Sequence, residues 1–275
     1  MLDTPPLELR RPSLSIIIPT CDRPSQLLSA VRSCGIDNIS GVELIIVDDG
    51  LTSPVDPTIF DCEVKIIKTS GYLGAASARN LGAKFAKTDF VLFLDDDDCF
   101  INNYVSEVLE HILVGTHKVG VCCTSRKCHA ALRSGNNYTS LNLPLKQCIF
   151  GAGMGLWIQK NLFMDLGGFS GDHRIDEDTH FFCKIRVENI SVYVSSTVGV
   201  SISPNLAPAL EGKRLTALMD PKLRRSAYGL TFMAFRCEGR LSCADKFFLL
   251  SRYIRVTRKY YLHLLISHIK SLLSK

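Results

Sequence analysis

Four short apolar runs in the first hundred residues, at 14–18, 43–47, 64–67 and 90–94, constrain the fold more than any other feature of the chain. They are rich in Ile and Val and are separated by segments long enough for a helix. A strand with one face in water alternates apolar and polar residues, whereas a strand covered on both faces stays apolar throughout. The runs therefore predict buried strands of a mostly parallel α/β sheet flanked by helices. Pro24 opens the first connecting helix, where the missing N–H of proline is no loss, and Leu27, Leu28, Val31 and Cys34 follow at helical spacing. Segment 73–87 reads LGAASARNLGAKFAK, a helix with small residues at Gly74, Ala75, Ala78, Gly82 and Ala86. Glycine weakens a helix by about 1 kcal/mol relative to alanine, so these positions predict close approach to the sheet or to a ligand. Further along, helices are expected at 104–113, 161–166 and 176–187, with strands at 119–124 and at the end of 147–158. Gly167 and Gly168 suit the stop of the second of these helices.

The strands share one end. The first run closes in Pro19 and Thr20, followed by Asp22 and Arg23; the second closes in Asp48, Asp49 and Gly50; the fourth closes in Asp95, Asp96, Asp97 and Asp98. In a parallel sheet these residues fall at the carboxyl ends of the strands, where open α/β sheets bind ligands. Four successive carboxylates repel one another unless a cation joins them. Hard oxygen donors suit Mg²⁺ or Mn²⁺, ions that commonly share their shell with substrate phosphates. An acidic turn capping the next helix has the same composition, so the weight rests on three strand ends converging.

Charge is divided unevenly. Residues 212–275 carry 14 Lys or Arg against 3 Asp or Glu, and residues 1–211 carry 18 against 24. From Phe247 onward, Leu250, Ile254, Tyr261, Leu265, Ile269 and Leu272 recur at helical spacing, with Arg252, Arg255, Arg258, Lys259 and Lys270 mainly elsewhere. Such a cationic amphipathic helix suits an anionic membrane surface, and equally a packed helix with a basic outer face. It contains no recognisable nucleic-acid module, so nucleic acid is not an expected partner. No apolar run approaches the roughly 20 residues of a spanning helix. The 11 cysteines include no CxxC pair, and the cluster of Cys122, Cys123, Cys128 and His129 lacks paired zinc knuckles. The start of the chain has no apolar leader core, so buried free thiols in a reducing cytoplasm are expected.

The segments SIIIPTCDR, ELIIVDDG, GYLGAASARNLGAKFA, FVLFLDDDD and LFMDLGGFSGDHRIDED appear in that order across residues 13–190. In order and spacing they resemble glycosyltransferase family 2, the GT-A nucleotide-sugar transferases. The resemblance implies a Rossmann-like GT-A domain over 1–205, with a nucleotide-sugar half at 13–100 and an acceptor half at 101–205. A basic amphipathic helical segment over 206–275 would follow, the boundary falling where Pro and Ser gather near 203–208.

By the same resemblance each motif gains a role. Pro19, Thr20 and Asp49 line the nucleoside pocket, with Asp49 facing the pyrimidine edge, and Arg23 joins them in binding the donor. Arg79 sits near the base or the diphosphate. Asp95 lies near the ribose and Asp97 on the metal, while Asp96, also counted with the substrate, and Asp98 are open to a shift of register. Glu177 and Asp178 match the catalytic acidic pair, with Asp178 as general base, although Asp176 alongside leaves room for a shift. The implied reaction moves a sugar from a nucleoside-diphosphate sugar, a UDP-sugar first among them, to a glycan or lipid-linked acceptor. Inversion, Mn²⁺ or Mg²⁺ as cofactor, a role in building surface polysaccharide, and a place on the inner face of the cytoplasmic membrane complete the expectation.

Cys21, Leu51 and Asn102 stand where the family more often has an aromatic residue, serine and proline; the first two bear on donor identity. Glycines 151, 153 and 155 imitate a dinucleotide fingerprint but lack its strand–helix context. Trp157 is either an acceptor-stacking residue or core. Two other readings stand beside the transferase. A metal-dependent nucleotidyltransferase would carry a glycine-rich basic loop after the first strand, and Pro19–Arg23 is not one. A binding protein without turnover would have no need of both Asp97 and Asp178.

Overall fold

The computed structural model describes residues 14–36, 39–123, 137–139, 155–171 and 177–201, together with residues 243, 246, 247, 250, 251 and 254. The four apolar runs form β1 (Leu14–Thr20), β2 (Val42–Asp48), β3 (Lys65–Lys68) and β4 (Phe90–Phe93). They pair in parallel in the order β3-β2-β1-β4, as the runs predict. A two-residue β5 (Cys99–Phe100) pairs antiparallel with β10 (Val200–Ser201) as a separate ribbon. β6 (Val119–Cys123), β7 (Asn137–Thr139), β8 (Trp157–Gln159) and β9 (Ser191–Val198) extend the main sheet. Its full order is β3-β2-β1-β4-β8-β6-β9-β7. β8 runs antiparallel to both of its neighbours, and β7 runs antiparallel to β9.

Among the described residues, this sheet is covered by α1 (Pro24–Ser33), α2 (Ala75–Phe85), α3 (Tyr104–Val114), α4 (Lys160–Asp165) and α5 (Glu177–Val187). Successive strand residues point to opposite faces. Ile17, Ile45, Val47, Val91 and Phe93 face a core closed by Ala76, Ala78 and Ala83 of α2 and by Phe181, Phe182 and Ile185 of α5. Ile16, Ile18, Leu44, Ile46 and Leu92 face the other core, closed by Leu27 and Val31 of α1 and by Val105 and Val108 of α3. Two-sided burial is why the runs of β1, β2 and β4 show no polar alternation; β3, at the edge of the sheet, is only half-buried, short of the buried strand expected there.

The small residues of α2 have the steric reason the sequence suggests. A Cβ on Gly82 would fall onto Ile17 Cγ2 of β1 and lie 3.2 Å from Val47 Cγ2 of β2. The helix is thus seated directly on the two strands whose ends carry the polar residues. The interior has no room for anything larger.

Trp157 corrects one expectation. It is fully buried, against Phe90, His111 and Tyr193, and a Cβ on Gly120 of the neighbouring strand would enter its ring. An indole enclosed on all sides has no face for an acceptor sugar, so Trp157 is core. Of the described cysteines, Cys34, Cys122 and Cys183 are buried as expected, whereas Cys21, Cys62 and Cys99 are half-buried and Cys243 is exposed; Cys128 and His129 lie outside the described residues. So do glycines 151 and 153, Asp176, the 203–208 boundary and nearly all of the basic segment. Among the described residues no helix is long and apolar enough to cross a membrane.

Candidate active site

Parallel pairing delivers the polar residues to one edge. Thr20 of β1 lies opposite Asp48 of β2, and Ile17 lies opposite Phe93 of β4, so the loops after all three strands emerge side by side. Leu94 N–H donates to Ile17 O at 3.1 Å, carrying the pairing up to the start of the aspartate run.

The four aspartates do not act as a block. The chain turns within the run, Asp98 N–H donating to Asp95 O at 3.2 Å, and the side chains diverge. Asp96 points inward and is fully buried: Thr20 Oγ1 donates to its Oδ2 at 2.7 Å. Its Oδ1 faces Arg23 NH2 at 2.5 Å as an ion pair, outside hydrogen-bonding geometry. Burial pushes the Asp96 carboxyl up to about 6, against the lowering influence of the Thr20 hydroxyl and the Arg23 guanidinium. Asp95, Asp97 and Asp98 instead converge, each offering an oxygen, with these oxygens all within 4.8 Å of one another. Asp97 Oδ2 also accepts from Arg23 NH1 at 2.8 Å.

This donor set fits a divalent ion of the Mg²⁺ or Mn²⁺ class. Three hard carboxylate oxygens in so small a volume are unfavourable without a cation, and their chemistry excludes a preference for soft metals. Asp96 is not in the set. Its committed partners are protein groups, so it fastens the aspartate loop to β1 rather than reaching toward a substrate.

Arg79 joins the two halves of the site. It is buried on α2, pairs with Asp95, and donates from NH1 to Glu177 Oε1 at 2.9 Å at the start of α5. Burial works against its charge, yet Asp95 and Glu177 more than offset this and raise its pKa above that of a free arginine. The guanidinium also lies over the Phe169 ring at 5.6 Å. One buried cation therefore connects the aspartate loop with the helix that bears Glu177 and Asp178. Arg79→Met strands both carboxylates; the expected loss is about 3 kcal/mol, the low end for a broken buried pair because Asp95 and Glu177 keep partial access to water. A urea unfolding midpoint measures it, and an unchanged midpoint would contradict the bridging role.

Asp49 is buried beneath the same edge. Its Oδ1 accepts from Thr69 Oγ1 at 2.5 Å and from Leu73 N–H at 2.9 Å, and its Oδ2 accepts from Gly74 N–H at 2.8 Å. The carboxylate thereby fixes the loop that leads into α2, with Gly74 at φ +91°, a conformation glycine adopts without strain. Pro19 and Thr20 are also buried, as floor rather than wall. Glu177 and Asp178 are both half-buried at the first turn of α5, where a helix N-terminus favours negative charge.

Further residues build the site without having been singled out from sequence for these contacts. Asp22, at φ +55°, accepts from Thr52 N–H and Ser53 N–H at 2.8 Å each and from Tyr72 OH at 3.0 Å. The Ser53 hydrogen bond leads in pulling its pKa down to about 2, against some desolvation. Gly50 permits this approach, since a Cβ there would lie 2.5 Å from Asp22 Oδ1. Asn80 of α2 clasps the turn after α4, donating to Phe169 O at 2.7 Å and accepting from Phe169 N–H at 2.9 Å. Tyr72, Leu73 and Leu51 form an exposed apolar lip beside Asp49.

The family model for glycosyl transferase family 2 matches residues 15–178, a span that takes in every strand end described above. The chain belongs to glycosyltransferase family 2. An uncharacterized glycosyltransferase of Haemophilus influenzae is 31% identical over 186 residues, covering 64% of this chain and 62% of that protein. The hyaluronan synthase of Pasteurella multocida is 35% identical over 109 residues, covering 35% of this chain and 11% of that protein. The chain thus spans less than two thirds of the length of either relative. Among solved structures, residues 1–349 of S. aureus TarS superimpose with a TM-score of 0.63 at 17% identity, covering 90% of this chain and 72% of that one. The mannosyltransferase PcManGT from Pyrobaculum calidifontis, in complex with GDP-Man and Mn²⁺, gives a TM-score of 0.57 at 15% identity, covering 96% and 81%. At such identities the likeness establishes the GT-A fold of this family 2 chain and leaves its chemistry to its own residues.

Proposed function

We propose that this chain transfers a sugar from a nucleoside-diphosphate sugar to a hydroxyl of a glycan or lipid-linked acceptor, with inversion at the anomeric carbon. The observation that carries the reading is the convergence of Asp95, Asp97 and Asp98 at the strand ends, joined through Arg79 to the acidic start of α5. Asp97, with Asp95 and Asp98 beside it, would hold a divalent ion; such an ion, when bound, offsets charge on a departing diphosphate. The chain's own residues supply the remainder. Asp178 takes the proton of the acceptor hydroxyl while that oxygen attacks the anomeric carbon, and the bond to the diphosphate breaks on the opposite face. Glu177, tied to Arg79, positions the first turn of α5 and is poorly suited to be the base. Asp49, Thr20 and Asp22 shape the nucleoside pocket by holding its loops, and the lip of Leu51, Tyr72 and Leu73 gives the base an apolar surface.

Support for the donor class comes from the structural neighbours, since TarS has been solved with UDP and with UDP-GlcNAc and the Pyrobaculum calidifontis mannosyltransferase with GDP-Man. UDP-sugars come first on this reading, and the hyaluronan synthase relative supports a polysaccharide product. Calorimetric titration with UDP and GDP, each with and without Mn²⁺, tests the donor site; metal-enhanced binding of UDP is expected, and no binding of either nucleotide under any condition sinks the proposal.

The basic 206–275 segment would hold the enzyme against the anionic inner face of the cytoplasmic membrane, close to lipid-linked acceptors. Its charge, 14 Lys or Arg against 3 Asp or Glu over 212–275, supports this. The full chain is then expected to co-float with vesicles rich in phosphatidylglycerol, to be released by salt, and to ignore phosphatidylcholine vesicles. Equal flotation with both lipids contradicts a charge-driven attachment.

A further inference from the structure

Arg23 occupies a position that the proposed transfer does not require. It lies just ahead of α1 and is about one-third exposed, with its guanidinium spanning two aspartates of the same run. NH2 faces the buried Asp96 at 2.5 Å, and NH1 donates to Asp97 Oδ2 at 2.8 Å. Asp96 is itself pinned by Thr20, so one end of this contact is rigid. The other end is Asp97, which also belongs to the three-carboxylate cluster. A guanidinium stays protonated in proteins, so the side chain is a permanent cation.

A permanent cation on a metal-binding carboxylate competes with the metal. It takes one oxygen of Asp97 in a charge-assisted hydrogen bond and places a positive charge within a few ångströms of any ion that the cluster would hold. Loss of the Asp97 contact would leave the guanidinium tethered to Asp96, at the mouth of the site, where an anion could take its freed donors. Planar guanidinium donors match phosphate oxygens as well as carboxylate oxygens.

Resting on the reading of this edge as a metal and nucleotide-sugar site, we propose that Arg23 is the built-in counter-cation of the aspartate loop. It holds Asp97 against metal binding until the diphosphate of the donor draws the guanidinium away. Metal alone binds weakly, and metal and nucleoside diphosphate each strengthen the other, because one ligand removes what opposes the second. Arg23 thus makes the metal site respond to the presence of donor.

The test measures Mn²⁺ affinity by calorimetry or by the electron paramagnetic resonance signal of free Mn²⁺, on the full chain, with and without UDP. Wild type is expected to bind Mn²⁺ weakly alone and more tightly with UDP. Arg23→Gln is expected to bind Mn²⁺ alone about tenfold more tightly, the size expected when a unit charge a few ångströms from a divalent ion is removed in a water-like dielectric. Its further gain from UDP should shrink. Arg23→Lys keeps the charge and should stay close to wild type for Mn²⁺ alone. A gain in affinity is an effect that damaged folding does not produce, and a thermal melt of each variant confirms the fold. If wild type shows UDP-dependent Mn²⁺ binding but Arg23→Gln binds Mn²⁺ no more tightly, the counter-cation role is overturned while the donor site stands. If wild type binds neither Mn²⁺ nor UDP, the donor-site reading falls and this inference falls with it.

Discussion

Asp97→Ala is expected to abolish metal-dependent binding of the nucleoside diphosphate and to lower transfer by about a thousandfold or more. A bound divalent ion contributes several kcal/mol of charge stabilisation, and about 1.4 kcal/mol corresponds to a factor of ten in rate. The fold should survive, because Arg23 keeps its buried partner Asp96 and Asp96 keeps Thr20. A melting temperature near that of wild type, with the Mn²⁺ effect on UDP binding gone, is the outcome that fits. Retained Mn²⁺-dependent binding in this variant would move the metal off Asp97. It would leave Asp95 and Asp98 as the remaining members of the cluster to examine.

Asp178→Asn should separate binding from chemistry. The amide matches the carboxylate in shape but does not accept the acceptor's proton. Donor affinity should be unchanged, while kcat falls by about 10²–10⁴-fold, the usual contribution of a positioned general base. A structural role at the first turn of α5 leaves a different trace. Loss of a favourable charge at a helix N-terminus costs about 0.3–1 kcal/mol of stability and leaves turnover in place. Kinetics at saturating donor and acceptor, read together with a melt, distinguish the two. Near-normal kcat in Asp178→Asn would transfer the base to another carboxylate of this acidic segment.

Much of the fold was legible because two-sided burial writes itself into sequence as unbroken apolar runs. β1, β2, β3 and β4 appear within a few residues of where those runs predict them. α1 begins at Pro24 as expected, and the glycine of α2 does face the sheet at contact distance. β9 was not anticipated, although VYV in Ser191–Val198 carries β propensity; the strand's polar residues broke the apolar run. Ser195 in it is buried, its hydroxyl donating to Glu107 at 2.9 Å, a pairing that no local pattern announces. β5 and β10 are two residues each and leave no periodicity to read.

The site was legible in its residue types and less so in their directions. Sequence offered four aspartates in an open register, and the turn between Asp95 and Asp98 is what sends Asp96 inward and gathers the other three. The buried bridge of Arg79 to Asp95 and Glu177 spans 98 positions between Arg79 and Glu177, beyond the reach of any spacing argument. Asp49 was expected to face a pyrimidine; the structure adds that its oxygens hold the loop before α2, a task set by backbone N–H groups that sequence does not display. Trp157 carried two readings, and only packing against Gly120 decided between them.

The most direct measurement incubates the full chain with UDP- and GDP-sugars, Mn²⁺ or Mg²⁺, and glycan and lipid-linked acceptors, and identifies the phosphate product together with the anomeric configuration of the new bond. Metal-dependent release of nucleoside diphosphate, matched by an inverted glycosidic product, is the expected result. Pyrophosphate in its place would make the chain a nucleotidyltransferase, and tight donor binding without any product across the panel would contradict transfer by this chain.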